Sequence, residues 1–196
     1  MTKLESNSQS TLSRLARPEM LIALSAIIIS LCALVVSLYE TSLIRQEQRA
    51  SVWPHLMVGP SFQSKRFIFI VHNTGIGPAR IRDVEVTVNG ERVLNWVSML
   101  EAITGVSDSF NLTYSQINKR VIPPDDPFEM FSVSVGEDGI DEELALLLTR
   151  ETEHYNISIC YCSVYDECWT VNTSSNIPEE THVNDCSPEQ GRSFEM

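Results

Sequence analysis

The sequence predicts a mainly β protein: one N-terminal transmembrane helix followed by an antiparallel β-sandwich, immunoglobulin-like in the broad sense, with one or two short helices. Two observations predict it. Met20 to Tyr39 is an uncharged apolar run, long enough for a membrane helix. Beyond it, short β-branched and aromatic runs alternate with Gly, Pro, Asn and Asp clusters. They amount to about seven strands in about 120 residues, the spacing of a sandwich. A small α+β domain is the alternative. The composition sets outer bounds. With 196 residues, 43% hydrophobic and 20% charged, the chain is too apolar to be disordered throughout. Its net charge of -12 argues against a nucleic-acid partner, because phosphate neutralisation needs clustered Lys and Arg.

Residues 1–18 are rich in Ser, Asn, Gln and Thr without apolar periodicity, and are expected to form a disordered cytoplasmic tail. The apolar run reads MLIALSAIIISLCALVVSLY. At 1.5 Å per residue it spans about 30 Å, the thickness of a hydrocarbon core. Ser25, Ser30 and Ser37 can each return a hydroxyl to the carbonyl four residues back, and Tyr39 suits the headgroup layer. A core helix of a soluble domain is seldom apolar on every face over such a length. A cleavable signal has an apolar region of about 7 to 15 residues, and the nearest approach to a small-x-small site is Val35-Val36-Ser37. Leu31 is too large for the residue preceding a lipid-modified cysteine at Cys32. Residues 19–39 are therefore expected to be an uncleaved signal-anchor, with the lipid bilayer as the partner of residues 20–39. Lys3, Arg14 and Arg17 precede it and Arg45 and Arg49 follow. That excess puts the N-terminus in the cytoplasm and the remainder outside.

Residues 40–53 contain good helix formers and are expected to continue as a stalk until Trp53-Pro54. The β-sandwich is expected over 54–173. Arg66 to Val71 is strand-like, and His72 to Pro78 supplies turn chemistry. Val84, Val86 and Val88 alternate with polar residues, the mark of a half-buried strand, and Asn89-Gly90 marks a hairpin before Glu91 to Val93. Leu94 to Ile103 is a short helix or an irregular crossing. Val121-Ile122 leads into a Pro- and Asp-rich turn, and Phe128 to Val135 alternates again. Asp141 is placed to cap a helix over Glu142 to Arg150. Asn156 to Tyr165 and Cys168 to Val171 read as a strand and its return. Residues 174–196 are polar and acidic, and are expected to be an extended tail.

Four cysteines lie beyond the anchor: Cys160, Cys162, Cys168 and Cys186. Cys160 and Cys162 face one side of a strand. If the five residues between Cys162 and Cys168 form a hairpin loop, those two cysteines sit opposite one another within bridging distance. Cys186 could then reach Cys160, although four cysteines allow three pairings. Two disulfides are the expectation for a domain outside the cytoplasm. A four-thiolate zinc site is the rival, but C-x-C is a poor match to the usual spacers of two to four residues. A redox enzyme would want C-x-x-C at a helix start.

Other groups of residues have plainer readings. Glu137, Asp138, Asp141, Glu142 and Glu143 lack the spacing of a calcium loop and read as a solvated helix cap. His55, His72, His154 and His182 show no ligand spacing. Gly75 to Ala79 resembles a phosphate cradle but has no following Lys, and reads as a tight turn. No G-x-S-x-G, P-loop or dinucleotide fingerprint is present. No catalytic residue, cofactor site or metal site is assigned. Asn-x-Ser/Thr sites occur at Asn111, Asn156 and Asn172.

Three stretches also carry a resemblance. Ser51-Val52-Trp53-Pro54, Asn73-Thr74-Gly75-Ile76-Gly77-Pro78-Ala79 and Cys160-Tyr161-Cys162-Ser163-Val164-Tyr165 through Cys168-Trp169 resemble a group of bacterial single-pass membrane proteins. Those proteins have an N-terminal anchor and a small β-rich domain. The likeness runs from the anchor to about residue 172. It implies a bacterial inner membrane location with the domain periplasmic or extracellular, and makes the Asn-x-Ser/Thr sites irrelevant. It implies no activity. The expected function is a non-enzymatic binding or structural module of the cell envelope, with an envelope protein as partner. The alternative is a membrane-tethered thiol-redox or zinc-binding protein using the distal cysteines.

Overall fold

The computed structural model describes residues 18–63, 66–105, 111–134, 148, 154–173, 179–186 and 194. The expected tail up to residue 17, the acidic group Glu137 to Glu143 and the helix Glu142 to Arg150, apart from Leu148, lie outside the described residues. The chain divides into two units, Met1–Gln48 and Arg49–Met196.

Helix α1, Pro18–Ala50, runs for 33 residues without one buried side chain. Pro18 occupies the first helical position, where its missing N–H costs nothing. The helix is long and apolar enough to cross a membrane. Anchor and stalk are one helix, which stops at Ala50 rather than Trp53. Ser25 and Ser30 donate to the carbonyls of Ile22 and Ile27 at 2.8 and 2.9 Å, three residues back instead of four. Thr41 donates four back, to Ser37, at 2.7 Å.

The second unit is built of antiparallel sheets, as the sequence predicts. One holds β1 (Leu56–Gln63), β2 (Arg66–Asn73), β5 (Leu112–Tyr114) and β7 (Pro127–Ser134), in the order β1-β2-β7-β5. The other holds β3 (Ala79–Val88), β4 (Glu91–Val93), β8 (Tyr155–Cys162), β9 (Cys168–Asn172) and β10 (Glu179–Val183), in the order β10-β9-β8-β3-β4. A short β6 (Val121–Ile122) pairs with β3. Helix α2, Trp96–Thr104, lies between β4 and β5 in sequence. The Asn95 side chain caps it by accepting from Ser98 N at 2.7 Å, and Gly105 ends it in the left-handed region.

Both sheets contribute to one core. Phe131 is its centre, stacked on Phe69 at 5.6 Å and packed against Trp96 at 4.5 Å. Two bulges shape the sheets. Opposite β2, Met130 is the extra residue between Phe131 and Glu129. The inward set of β7 therefore changes phase, from Phe128 and Met130 to Phe131 and Val133. Opposite β8, Arg82 is the extra residue between Ile81 and Asp83. The inward set of β3 switches from Ala79 and Ile81 to Val84, Val86 and Val88. Asn89 and Gly90 turn the β3–β4 hairpin with φ of 52° and 82°, the backbone that Asn-Gly favours.

The segment expected as a polar tail from 174 to 196 is partly built into the fold. Glu179–Val183 pairs with β9 as an edge strand, and Phe194 is buried against Trp96 at 4.6 Å. Exposed Glu179, Thr181 and His182 hide the strand, because a sheet edge tolerates polar residues on its open face.

The turn after β2 is a clasp. Asn73 is fully buried with all four hydrogen-bonding positions filled. Its Oδ1 accepts from His55 N at 3.3 Å and Gly75 N at 3.1 Å. Its Nδ2 donates to Gly77 O at 2.8 Å and Ile122 O at 3.0 Å. Trp53 O accepts from Ile76 N at 2.9 Å. A Cβ on Gly77 would stand 1.8 Å from Val52 O, and one on Gly75 2.3 Å from His55 N. The glycines let the incoming backbone pass. The turn is a strand-entry clasp, with the N–H groups of Ile76 and Gly77 both spent on Trp53 O.

Candidate functional site

The chemistry-bearing residues gather where β8, β9 and the chain after β10 meet the start of β3. Cys162 and Cys168 oppose one another in the β8–β9 register and form a disulfide with Cα atoms 4.0 Å apart. Cys160 is bonded to Cys186 with Cα atoms 5.7 Å apart. The two bridges touch: Cys162 Sγ lies 3.7 Å from Cys186 Sγ. The sulfurs of Cys162, Cys168 and Cys186 all fall within 4.8 Å of one another. Both bonds consume the thiolates that a metal would need, so a metal reading applies to the reduced chain alone. Cys32 is free and exposed on α1.

The hairpin loop between Cys162 and Cys168 is fixed locally. Ser163 is buried, and its Oγ accepts from Tyr165 N at 3.1 Å and Glu167 N at 3.4 Å. Ser163 N donates to Glu167 O at 2.8 Å. Asp166 sits at φ 58°, which Asp tolerates better than most residues. Its carboxylate receives Arg80 Nη1 and Arg82 Nη2, each at 3.1 Å. The bulge at Arg82 and the disulfide-closed loop thus meet at one carboxylate.

A second backbone turn completes the arrangement. Arg120 N donates to Ile117 O at 3.0 Å, and Arg120 O accepts from Ile81 N at 2.8 Å. Asn118 Nδ2 donates to Phe194 O at 2.9 Å. Lys119 is held at φ 61°. The Arg120 guanidinium lies 4.2 Å over the Phe128 ring, a cation–π contact. Between this turn and β3 is a cavity of about 490 Å³ lined by Arg80, Arg82, Lys119, Arg120 and Cys186, among others. Four of the chain's fourteen Lys and Arg residues therefore border one hollow. Among the described residues Asp166 pairs with two of the four, and no carboxylate pairs with Lys119 or Arg120.

A separate network joins β1, β8 and β10. His55 Nδ1 contacts the Glu180 carboxylate, and Glu180 also hydrogen-bonds the Tyr161 side chain. Leu56 N donates to Tyr161 OH at 3.4 Å. Burial pushes the Tyr161 phenol well above its usual range, and the Glu180 charge adds to the shift. Burial alone pushes Tyr155 up to about 12, and its hydroxyl donates to Leu148 O at 3.2 Å. This network ties the first strand to the last.

The histidines do not converge. His72 faces Asp125 at 3.3 Å, His182 meets Trp169 edge-on at 5.8 Å, and exposed His154 gives its carbonyl to Asn89 N at 2.7 Å. Of the sequence-predicted site residues, the four cysteines come together. The sequence reading missed the cationic hollow, because its cations come from two segments about forty apart that β6 pairing brings into register. The one local signal is the doublet Lys119-Arg120 next to a strand run in an otherwise acidic chain. No protein-family model matches this chain, and no curated protein matches it.

Proposed function

We propose that this chain is a membrane-anchored, non-enzymatic binding or structural module of the bacterial cell envelope. Residues 20–39 sit in the bilayer, the N-terminus is cytoplasmic, and the β-sandwich lies on the periplasmic or extracellular side with an envelope protein as partner. The observation that carries the reading is α1, a helix of 33 residues with none buried. Its exposed Leu, Ile and Val side chains need an apolar solvent. Two disulfides support the outside location, since such bonds persist in oxidising compartments. The excess of basic residues before the anchor supports the same orientation. Alkaline carbonate extraction combined with a reporter enzyme fused after Met196 tests this. Retention in the membrane pellet, with a reporter active only outside the cytoplasm, is expected. Release by carbonate, or a reporter active only inside, would contradict it.

The contact between the two disulfides favours a second reading, a thiol-redox or zinc-binding protein. It requires that reduction give a chain holding about one zinc through Cys162, Cys168 and Cys186 with Cys160, or a thiol with depressed pKa. Metal analysis of the reduced protein, with thiol titration against pH, separates the two readings.

A further inference from the structure

We infer that the hollow between β3 and the Ile117–Arg120 turn is a binding site for a phosphate ester. The proposal goes beyond the membrane-module reading and does not depend on it, because every residue involved lies in the second unit. Two features of the fold carry it.

First, the cations are concentrated against the charge of the whole. The chain has net charge -12, yet Arg80, Arg82, Lys119 and Arg120 share one lining. Like charges so close repel, and none of the four is buried: Arg82, Lys119 and Arg120 are exposed, and half-buried Arg80 alternates with the inward Ala79 and Ile81. Such a cluster is stabilised by an anion in its midst. Second, the local structure positions these cations. The extra residue of the bulge is itself Arg82. Lys119 takes a left-handed backbone that a side-chain-bearing residue adopts at a cost. The Arg120 guanidinium is steadied against Phe128.

Asp166 is the built-in competitor. It neutralises part of Arg80 and Arg82, leaving a surplus of cationic charge in a hollow of about 490 Å³. A dianion matches that surplus better than a monoanion. Guanidinium forks suit the paired oxygens of phosphate, and the volume admits a phosphate with an attached organic group. A soluble phosphate ester and a lipid headgroup present this same chemistry.

The test uses the full chain reconstituted in nanodiscs of neutral phosphatidylcholine and titrated with glycerol phosphate by calorimetry. Saturable binding in the range of about 0.1 to 1 mM is expected. Lys119→Gly should weaken it roughly fivefold or more while raising the thermal midpoint, because glycine relieves the left-handed backbone. Loss of affinity then cannot come from unfolding. Asp166→Asn, which frees Arg80 and Arg82, should tighten binding, and Arg92→Gln, outside the hollow, should leave it unchanged. Repeating the titration in discs containing phosphatidic acid tells the sources apart. A weakened apparent affinity supports the site with a lipid headgroup as occupant, and an unchanged one supports it with a soluble ester. Absence of saturable binding, or binding that neither Lys119→Gly nor Asp166→Asn alters, would overturn the proposal.

Discussion

Helix α1 and the paired sheets treat the same kinds of side chain in opposite ways. Ile22, Ile29, Val35 and Leu38 on the helix are each at least 65% exposed, whereas Phe69, Val71, Val84 and Ile157 in the sheets are fully buried. The sheets find their cover within the chain: each strand turns one face to a shared core, and bulges reset the phase when the pattern would slip. The helix finds none, and over residues 20–39 it is apolar around its whole circumference. The two regions are thus suited to different solvents, one to water with an internal core, the other to hydrocarbon. A change to either should leave the other untouched, and that independence can be broken or sharpened by mutation.

The largest expected effect is in the core. Phe131→Ala should lower domain stability by about 3–5 kcal/mol, read by thermal unfolding, with no change in membrane retention. Next come the cross-links. Removing Cys160–Cys186, which closes a 26-residue separation, should cost about 3.5 kcal/mol on chain-entropy grounds. Removing Cys162–Cys168, with a separation of 6, should cost about 2 kcal/mol. Paired Cys→Ala variants compared by chemical denaturation give the ranking. Ile28→Arg places a charge near mid-helix at a cost of about 2.5–3.5 kcal/mol. It should increase carbonate extractability while the unfolding midpoint of the sheets stays put.

The smallest effect is electrostatic. Burial raises the Asp83 carboxyl above its ordinary value, opposed by the nearby Arg92 charge and a hydrogen bond from Val84 N. A raised folded-state pKa means that stability is fully present below the unfolded value and is lost as pH rises through the folded one. Asp83→Asn should therefore be more stable than the parent at neutral pH and indistinguishable from it in acid below the ordinary carboxylate range. A denaturation series across that interval reads the sign.

What could be read in the sequence was local. The apolar run announces α1 by composition, Asn89-Gly90 announces its hairpin by backbone preference, and the Cys162–Cys168 spacing announces the β8–β9 hairpin because five residues suit a loop. The Val84, Val86 and Val88 alternation is visible because it lies beyond the bulge. What stayed hidden depends on partners distant in the chain. Gly59 and Pro60 disguise β1, since proline is tolerated on an edge strand where its missing donor is not needed. β10 is disguised by its acids. Asn73 reads as a turn residue, and only the fold reveals it buried with four partners. Gly75 and Gly77 read as turn formers, but their first duty is to let the backbone at Val52 to His55 pass. The cationic hollow needs β3, the Lys119 turn and the Cys186 bridge at once, a three-body arrangement no spacing pattern encodes.

The most direct test of a tethered, disulfide-bonded domain outside the cytoplasm is thiol labelling of intact cells with a membrane-impermeant maleimide, with and without prior reduction. Labelling of Cys160, Cys162, Cys168 and Cys186 only after an impermeant reductant is the predicted result. Labelling without reduction would contradict the paired cysteines, and labelling that appears only after lysis would place the domain in the cytoplasm and contradict the orientation.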